Sequence, residues 1–195
     1  MNTLRKKIFW AIILICMFVP IAKSLAEPSP SWGQIKDGLR IGVLILSEAQ
    51  NKSSSKIVIC LENVSTNSLV LNIGTMLANG KIQLPTAIKL QVTDSQGGVH
   101  DLKYISSGAI GRVDPFVVPL SAGSMYWLRC ASDDFAELSS SKSLGHLQPG
   151  EYHLTVIFTG RSVEKQTANA DLVGLSLMPY WTGTLSSGVG TFSLP

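Results

Sequence analysis

One stretch of alternating side chains constrains the fold of this chain more than any other. Residues 147–160 begin with the turn signal Pro149-Gly150. From there apolar side chains recur at every second position, at Tyr152, Leu154, Val156 and Phe158. A period of two indicates a β-strand with one face in a core. Because a lone strand cannot satisfy its own backbone groups, this stretch requires partner strands elsewhere in the chain.

Short strand-like segments separated by turns recur along the rest of the sequence. They lie at residues 38–46, 56–63, 69–73, 87–93, 99–105, 116–120, 124–130 and 182–194. Residues 133–143 fit either one helical turn or a loop, and no longer helical pattern is evident. Seven to nine short strands in one domain predict an all-β fold, a two-sheet antiparallel sandwich. A jelly roll or a small barrel is the alternative all-β architecture.

The N-terminal residues 1–26 have the organisation of a cleavable signal peptide. Arg5, Lys6 and Lys7 precede the apolar run 8–21, and small residues stand at Ser24 and Ala26. An uncleaved membrane anchor is the alternative, but a span needs about 20 apolar residues and this run is shorter. We therefore predict cleavage after Ala26, a short linker at 27–34 and one sandwich domain at 35–195. The predicted location is secreted or periplasmic, with membrane contact only through the signal peptide during export.

Removal of the leader changes the charge of the chain. The full sequence has 16 basic and 13 acidic residues, a net charge of +3. Four basic residues and no acidic residue lie in the leader, which leaves 12 against 13, a net charge of −1. No basic surface is then predicted, so the composition argues against nucleic-acid binding.

Two cysteines, Cys60 and Cys130, remain after cleavage. An oxidising compartment permits a disulfide between them, and two free thiols are the alternative. Cys60 alternates with Val58 and Glu62, so it is predicted to point away from the core. Cys130 shares a face with Leu128. A bridge would need the two strands to be neighbours with both cysteines on one face.

No residue pattern predicts catalysis, a metal or another cofactor. His100, His146 and His153 lack the spacing of a structural zinc site, and there is no Gly-x-Ser-x-Gly elbow. Asp133-Asp134 and Glu137 are predicted to be solvated acids. We therefore expect a protein that is not an enzyme.

The long segment 161–179, with Tyr180-Trp181 after it, is the predicted partner-binding loop. Long loops in compact domains are usually functional or disordered. The candidate contact residues are its apolar members, Leu172, Leu175, Met178, Tyr180 and Trp181. In the alternative interpretation these apolar residues cover an open end of the sandwich and Trp181 belongs to the core.

Several short motifs resemble immunoglobulin-like domains of bacterial exported proteins. They are Asn63-Val64-Ser65 at a strand end, Leu147 to Tyr152 before the penultimate strand, and Trp181-Thr182-Gly183 with Ser186-Ser187 before the last one. Pro149-Gly150 with Tyr152 is also similar to the tyrosine corner of immunoglobulin and fibronectin type III domains. That resemblance implies a Tyr152 hydroxyl bonded back to the preceding turn.

The predicted function is that of a binding or structural module at the cell envelope, with a protein or glycan as its partner. Loops on a rigid sandwich present surfaces suited to binding. The alternative is a protease inhibitor that inserts loops into an active-site cleft, for which 183–190 and 161–179 are the candidates.

Overall fold

A computed structural model describes residues 28–46, 56–78, 80, 82–105, 111–137, 143–144, 147–163 and 178–194. These residues form thirteen β-strands and one short 3-10 helix, Ser132–Asp134, and contain no α-helix. The strands are β1 Ser31–Trp32, β2 Leu39–Leu46, β3 Lys56–Asn63, β4 Leu69–Leu77, β5 Gln83–Leu84, β6 Ile88–Asp94, β7 Val99–Tyr104, β8 Val113–Leu120, β9 Met125–Ala131, β10 Phe135–Glu137, β11 Gly150–Gly160, β12 Gly183–Ser186 and β13 Gly190–Leu194. The all-β prediction is confirmed.

The strands form three antiparallel sheets around one core. The first sheet has the order β1-β2-β3-β9, the second β10-β7-β6-β11 followed by β12 and β13, and the third β5-β4-β8. Strand β11 lies against β2 of the first sheet and β4 of the third. The first and third sheets therefore both face the second, and the predicted two-sheet arrangement is corrected to three sheets.

Strand β11 has the pattern that the sequence predicts. Tyr152, Leu154, Val156 and Phe158 are buried, while His153 between them is exposed. The strand pairs with β6 on one side and with β12 and β13 on the other. It thus occupies the interior of its sheet, and all three sheets contribute side chains to the core that it contacts.

The last predicted strand is divided in two. Residues 187–189 interrupt the ladder between β12 and β13, and both strands pair with β11. Ser187 holds the interruption in place, since its amide donates to the Val156 carbonyl and its hydroxyl accepts from the Val156 amide, each at 2.9 Å. The predicted strand 182–194 is therefore present, with an ordered break at residues 187–189.

Asn63 fixes the joint between the first and third sheets. Its side chain is fully buried, and its Nδ2 donates to the carbonyls of Asn67 at 2.8 Å and Leu120 at 3.0 Å. Its Oδ1 accepts from the Ser65 amide at 3.0 Å and the Ser65 hydroxyl at 2.7 Å. The side-chain amide of Asn63 thus connects the turn after β3 to the end of β8. It satisfies backbone groups that no strand ladder reaches at this point.

The N-terminal boundary of the domain differs from the prediction. Ser31 and Trp32 lie in the predicted linker 27–34, yet they pair with Val43 and Gly42 of β2. The Gly33 amide then donates to the Ile41 carbonyl at 2.8 Å. The sandwich therefore includes part of that segment, because two prolines nearby do not prevent an edge strand from forming.

The predicted leader, residues 1–26, lies outside the described residues, so its cleavage stays a prediction. In the part of the chain that the structure describes, no helix is long and apolar enough to cross a membrane.

Candidate functional site

The outer side of the first sheet carries tryptophan, methionine and arginine side chains in neighbouring rows. The strand registers place Trp32 beside Gly42, Gly42 beside Cys60, and Cys60 beside Trp127. The adjacent row consists of Arg40, Glu62 and Met125. We call the surface formed by Trp32, Arg40, Glu62, Met125 and Trp127 the aromatic face.

Gly42 lets the Trp32 ring lie flat on the sheet. A Cβ atom at position 42 would be 2.7 Å from the Cε3 of Trp32 and 2.9 Å from the Cβ of Pro30. Real side chains do not approach so closely, so any larger residue would displace the ring. The glycine therefore has a packing role here.

Arg40 joins the aromatic and charged parts of the surface. Its guanidinium carbon lies 4.4 Å from the centre of the Trp32 ring, a cation–π geometry. Its Nε also donates to the Glu62 carboxylate at 2.5 Å. Because both partners contact the same guanidinium, Trp32, Arg40 and Glu62 form one connected group at this end of the face.

The Trp127 end of the face is the more open one. Trp127 is 48% exposed and Met125 is 45% exposed. Both belong to β9, which is the last strand of its sheet. Large apolar side chains grouped on an exposed sheet surface are typical of contact sites, whereas a single exposed apolar residue is ordinary.

Cys60 lies beneath this surface as an unreactive thiol. Its side chain points away from the core, as the alternation predicts, but it is fully buried. Burial raises its pKa from 9.0 to about 12. Nucleophilic cysteines need a lowered pKa and access, so Cys60 is not a candidate nucleophile.

The hypothesis of a Cys60–Cys130 disulfide is wrong for this structure, in which both cysteines are free. Their strands are neighbours, but Cys130 is opposite Ile57, three residues from Cys60. An odd offset places the two side chains on opposite faces of the sheet, and Cys130 belongs to the core. Three residues along a strand also separate the backbones by about 10 Å, beyond the reach of a disulfide.

Only part of the predicted partner-binding loop lies among the described residues. Leu172 and Leu175 lie outside the described residues, while Met178 and Tyr180 are half-buried. Trp181 is a core residue, 5% exposed and stacked on Phe158 with ring centres 5.7 Å apart. Its inclusion among the contact residues is therefore corrected, and the alternative interpretation of Trp181 is confirmed.

The strongest polar cluster on the second sheet surrounds His100. Its Nδ1 is 2.6 Å from the Glu137 carboxylate, and its Nε2 is 3.8 Å from the Asp94 carboxylate. The pKa of Asp94 is lowered, chiefly by a hydrogen bond from the Gly98 amide. The Asp94 carboxylate closes this turn, since it accepts from the Gln96 amide at 2.8 Å and the Gly98 amide at 2.7 Å. Among the described residues there is no group of three or more side chains that could hold a metal ion.

A groove of about 640 Å³ lies where residues 32–36 run beside 184–188. It lies between the start of the domain and β12, and backbone hydrogen bonds hold both of its sides in place. The Gly188 amide, for example, donates to the Ser31 carbonyl at 3.0 Å. Residues 183–190, one of the two loops of the inhibitor hypothesis, are thus held against β11 and β1 and do not protrude as a free loop.

The aromatic face was not identified from the sequence. Its signal was present in β9, where Met125, Trp127 and Arg129 alternate with Tyr126 and Leu128. That pattern has apolar residues on both faces of the strand. Until the strand order is known, the same pattern is equally consistent with a strand whose two faces are both buried.

The fold and the site define the class of the protein as an antiparallel all-β sandwich with an aromatic outer surface. No family model matches the sequence, and no curated protein matches it at a significant level. Among solved structures, an X-ray structure of a Northeast Structural Genomics Consortium target is 11% identical with a TM-score of 0.36, covering 83% of this chain and 91% of its own. The yeast GGA1 GAE domain is 15% identical with a TM-score of 0.29, covering 86% of this chain and 100% of its own. Both TM-scores are below 0.5, too low to establish a shared fold.

Proposed function

We propose that this chain is an exported, immunoglobulin-like binding module without catalytic activity, and that it holds a protein partner on its aromatic face. The observation that carries the proposal is the grouping of exposed Trp127 and Met125 with the fixed pair Trp32–Arg40.

The immunoglobulin-like part of the proposal rests on strand order. In that fold one sheet contains strands A, B and E, and the other contains C′, C, F and G. Strands β2-β3-β9 and β7-β6-β11-β12/β13 have the same neighbours in the same chain order. The assignment makes β11 the F strand. The third sheet is a departure, since β8 pairs with β4 instead of β9.

A tyrosine corner supports the same assignment. Tyr152 lies near the start of β11, and its hydroxyl donates to the carbonyl of Gln148, four residues upstream, at 2.7 Å. This is the bond that the sequence resemblance implies. The disulfide between strands B and F that antibody domains carry has no counterpart here, because β11 contains no cysteine.

A protein partner fits the chemistry of the face better than a small molecule. Tryptophan, methionine and arginine are enriched at protein interfaces, and tryptophan and arginine dominate their binding energy. The face is a sheet surface with one ion pair, whereas small-molecule sites are concave with several convergent polar groups. Export through the predicted leader would place the partner at the cell envelope.

Site-specific photo-crosslinking in envelope extracts tests the proposal. A photoreactive amino acid at Met125 should capture a protease-sensitive partner that is different from a second copy of this chain. The same amino acid at Thr93, on the outer side of the second sheet, is the matched control and should capture little. Equal capture at both positions, or capture of protease-resistant glycan only, would contradict the proposal. Truncation after Ala26 in the recovered protein checks the predicted export.

A further inference from the structure

In the part of the chain that the structure describes, strand β9 is an edge strand of the first sheet. Among the described residues it pairs with β3 alone. The Asn63 amide donates to the Ser124 carbonyl at 3.0 Å, and in an antiparallel ladder such bonded pairs occur at every second residue. It follows that Tyr126, Leu128 and Cys130 bond to β3. The backbone groups of Met125, Trp127 and Arg129 therefore point away from the sheet.

The flanking parts of the same edge are guarded, whereas this part is not. Strand β8 continues the edge beyond the turn at 121–124 and carries Pro115 and Pro119. Proline removes an amide donor and blocks the addition of another strand. At the other end, the Ala131 amide donates to the Asp134 carboxylate at 2.8 Å. Residues 125–129 are left without either device.

The side chains on this edge are complementary to a second copy of themselves. Trp127 and Arg129 are both exposed and lie two residues apart on one face. In an antiparallel pair of identical strands related by a twofold axis at Leu128, Trp127 of each copy is opposite Arg129 of the other. That register makes two cation–π contacts. A shift of the axis to Arg129 would instead place two like charges opposite each other, which is unfavourable.

We propose that two copies of this chain pair antiparallel along β9, with the twofold axis at Leu128. We assign the partner of this edge as a second copy because, in one register, Trp127 of each copy meets Arg129 of the other. A C2 interface is self-complementary by definition. The two four-stranded first sheets become one continuous sheet. Both aromatic faces then lie on the same side, so a partner can contact two faces at once.

Sedimentation of the purified chain beginning at residue 27, over a wide concentration range, tests the pairing. The wild type should show a concentration-dependent dimer. Arg129→Pro should shift the equilibrium at least tenfold toward monomer, because proline removes an outward-pointing amide that would bond the second copy. The β3 ladder does not use that amide, so the fold should be retained. Val117→Pro adds a proline to the already guarded β8 edge, at the same alternation as Pro119, and should leave the dimer unchanged.

A residue exchange tests the register itself. Arg129→Trp and Trp127→Arg should each weaken the dimer, whereas the double variant should restore it, since tryptophan again meets arginine across the axis. A wild type that stays monomeric at every concentration would overturn the proposal. So would an Arg129→Pro protein that dimerises normally, or an exchange variant that is not restored. Circular dichroism of each variant separates lost pairing from lost folding. These measurements use the purified chain alone, so their failure is distinct from a failure to capture a partner.

Discussion

The outer side of the first sheet and the outer side of the second sheet are built from the same kind of strand but have opposite chemistry. The first carries Trp32, Trp127 and Met125 around one ion pair. On the second, the registers bring together mainly threonine and charged or amide side chains: Thr93, Thr155, Thr191, Gln91, Asp101, Lys89, Lys103 and His153. Ile157 and Val99 are its apolar members.

The contrast separates a face whose side chains are explained by contact with water from a face whose side chains are not. Threonine and charged residues are the ordinary solution for a solvated sheet face, since threonine favours the strand and all of them stay hydrated. Exposed tryptophan and methionine add nothing to hydration. Their presence on only one of the two faces therefore favours a contact role for that face.

The largest effect expected is the difference between two tryptophans. Trp181→Ala should lower the free energy of unfolding by about 3–5 kcal/mol, because a large buried ring is removed from the core. Trp127→Ala should cost less than about 1 kcal/mol, since half of its surface is already in water. Urea unfolding of both variants checks the comparison. A Trp127 variant as unstable as the Trp181 variant would make the aromatic face a structural feature.

Overpacking at Gly42 should have the next largest effect. Gly42→Ala should destabilise the protein by about 1–3 kcal/mol, because the new methyl group meets the Trp32 ring. The matched substitution on the second sheet, Thr155→Ala, should change stability by less than about 1 kcal/mol. Intrinsic fluorescence of Trp32 should also change in the Gly42 variant. Unchanged fluorescence and stability would mean that the ring does not lie on position 42.

The buried thiols predict a pH dependence. Burial raises the pKa of Cys60 and of Cys130 from 9.0 to about 12, and the Asp134 carboxylate adds to the effect at Cys130. The folded state therefore keeps protons that the unfolded state releases above pH 9. Stability is complete below pH 9 and falls as the pH rises toward 12, by at most about 1.4 kcal/mol per pH unit for each thiol.

Urea midpoints at pH 8 and pH 10 measure this loss, and Cys60→Ala provides the control. The variant should lose less stability than the wild type between the two pH values, while tyrosine ionisation is common to both. Thiol titration of the chain beginning at residue 27 should find two reactive thiols in denaturant and almost none in the native protein. A loss of stability in the Cys60 variant that is as large as in the wild type would contradict the assignment of this effect to Cys60.

The smallest expected effect belongs to the polar pairs. A double-mutant cycle on Arg40 and Glu62 should give a coupling below about 1 kcal/mol, because the arginine is partly exposed. The pair Gln91–Asp101 on the second sheet, at 3.3 Å, should give less. Addition of salt should reduce the first coupling. A coupling at Gln91–Asp101 that equals or exceeds that at Arg40–Glu62 would remove this part of the contrast.

Local alternation allowed much of the fold to be predicted, but none of its neighbour relations. Strand β3 has the predicted bounds, and β9 and β11 lie within a few residues of theirs. The faces of Cys60 and Cys130 were also correct individually. What failed was the disulfide, because the register that offsets them depends on pairing between distant segments. The burial of Cys60 was not predicted for the same reason, since its neighbours Gly42 and Trp127 are distant in sequence.

The candidate site was less predictable than the fold. The alternation in β9 defines which side chains share a face, but it cannot show that β9 ends a sheet. Trp181 illustrates the converse case, in which a tryptophan after a long loop suggests contact and the structure places it in the core. Strands β1, β5 and β10 were missed because two or three residues carry no period.

The buried amide of Asn63 has a practical consequence for making this protein. Asn63-Val64-Ser65 is a consensus acceptor for N-linked sugar in eukaryotic secretion. A glycan added there before folding would use the nitrogen that bonds Asn67 and Leu120 and would have no space in the finished joint. Production in a host that attaches no such sugar is therefore the route to native material.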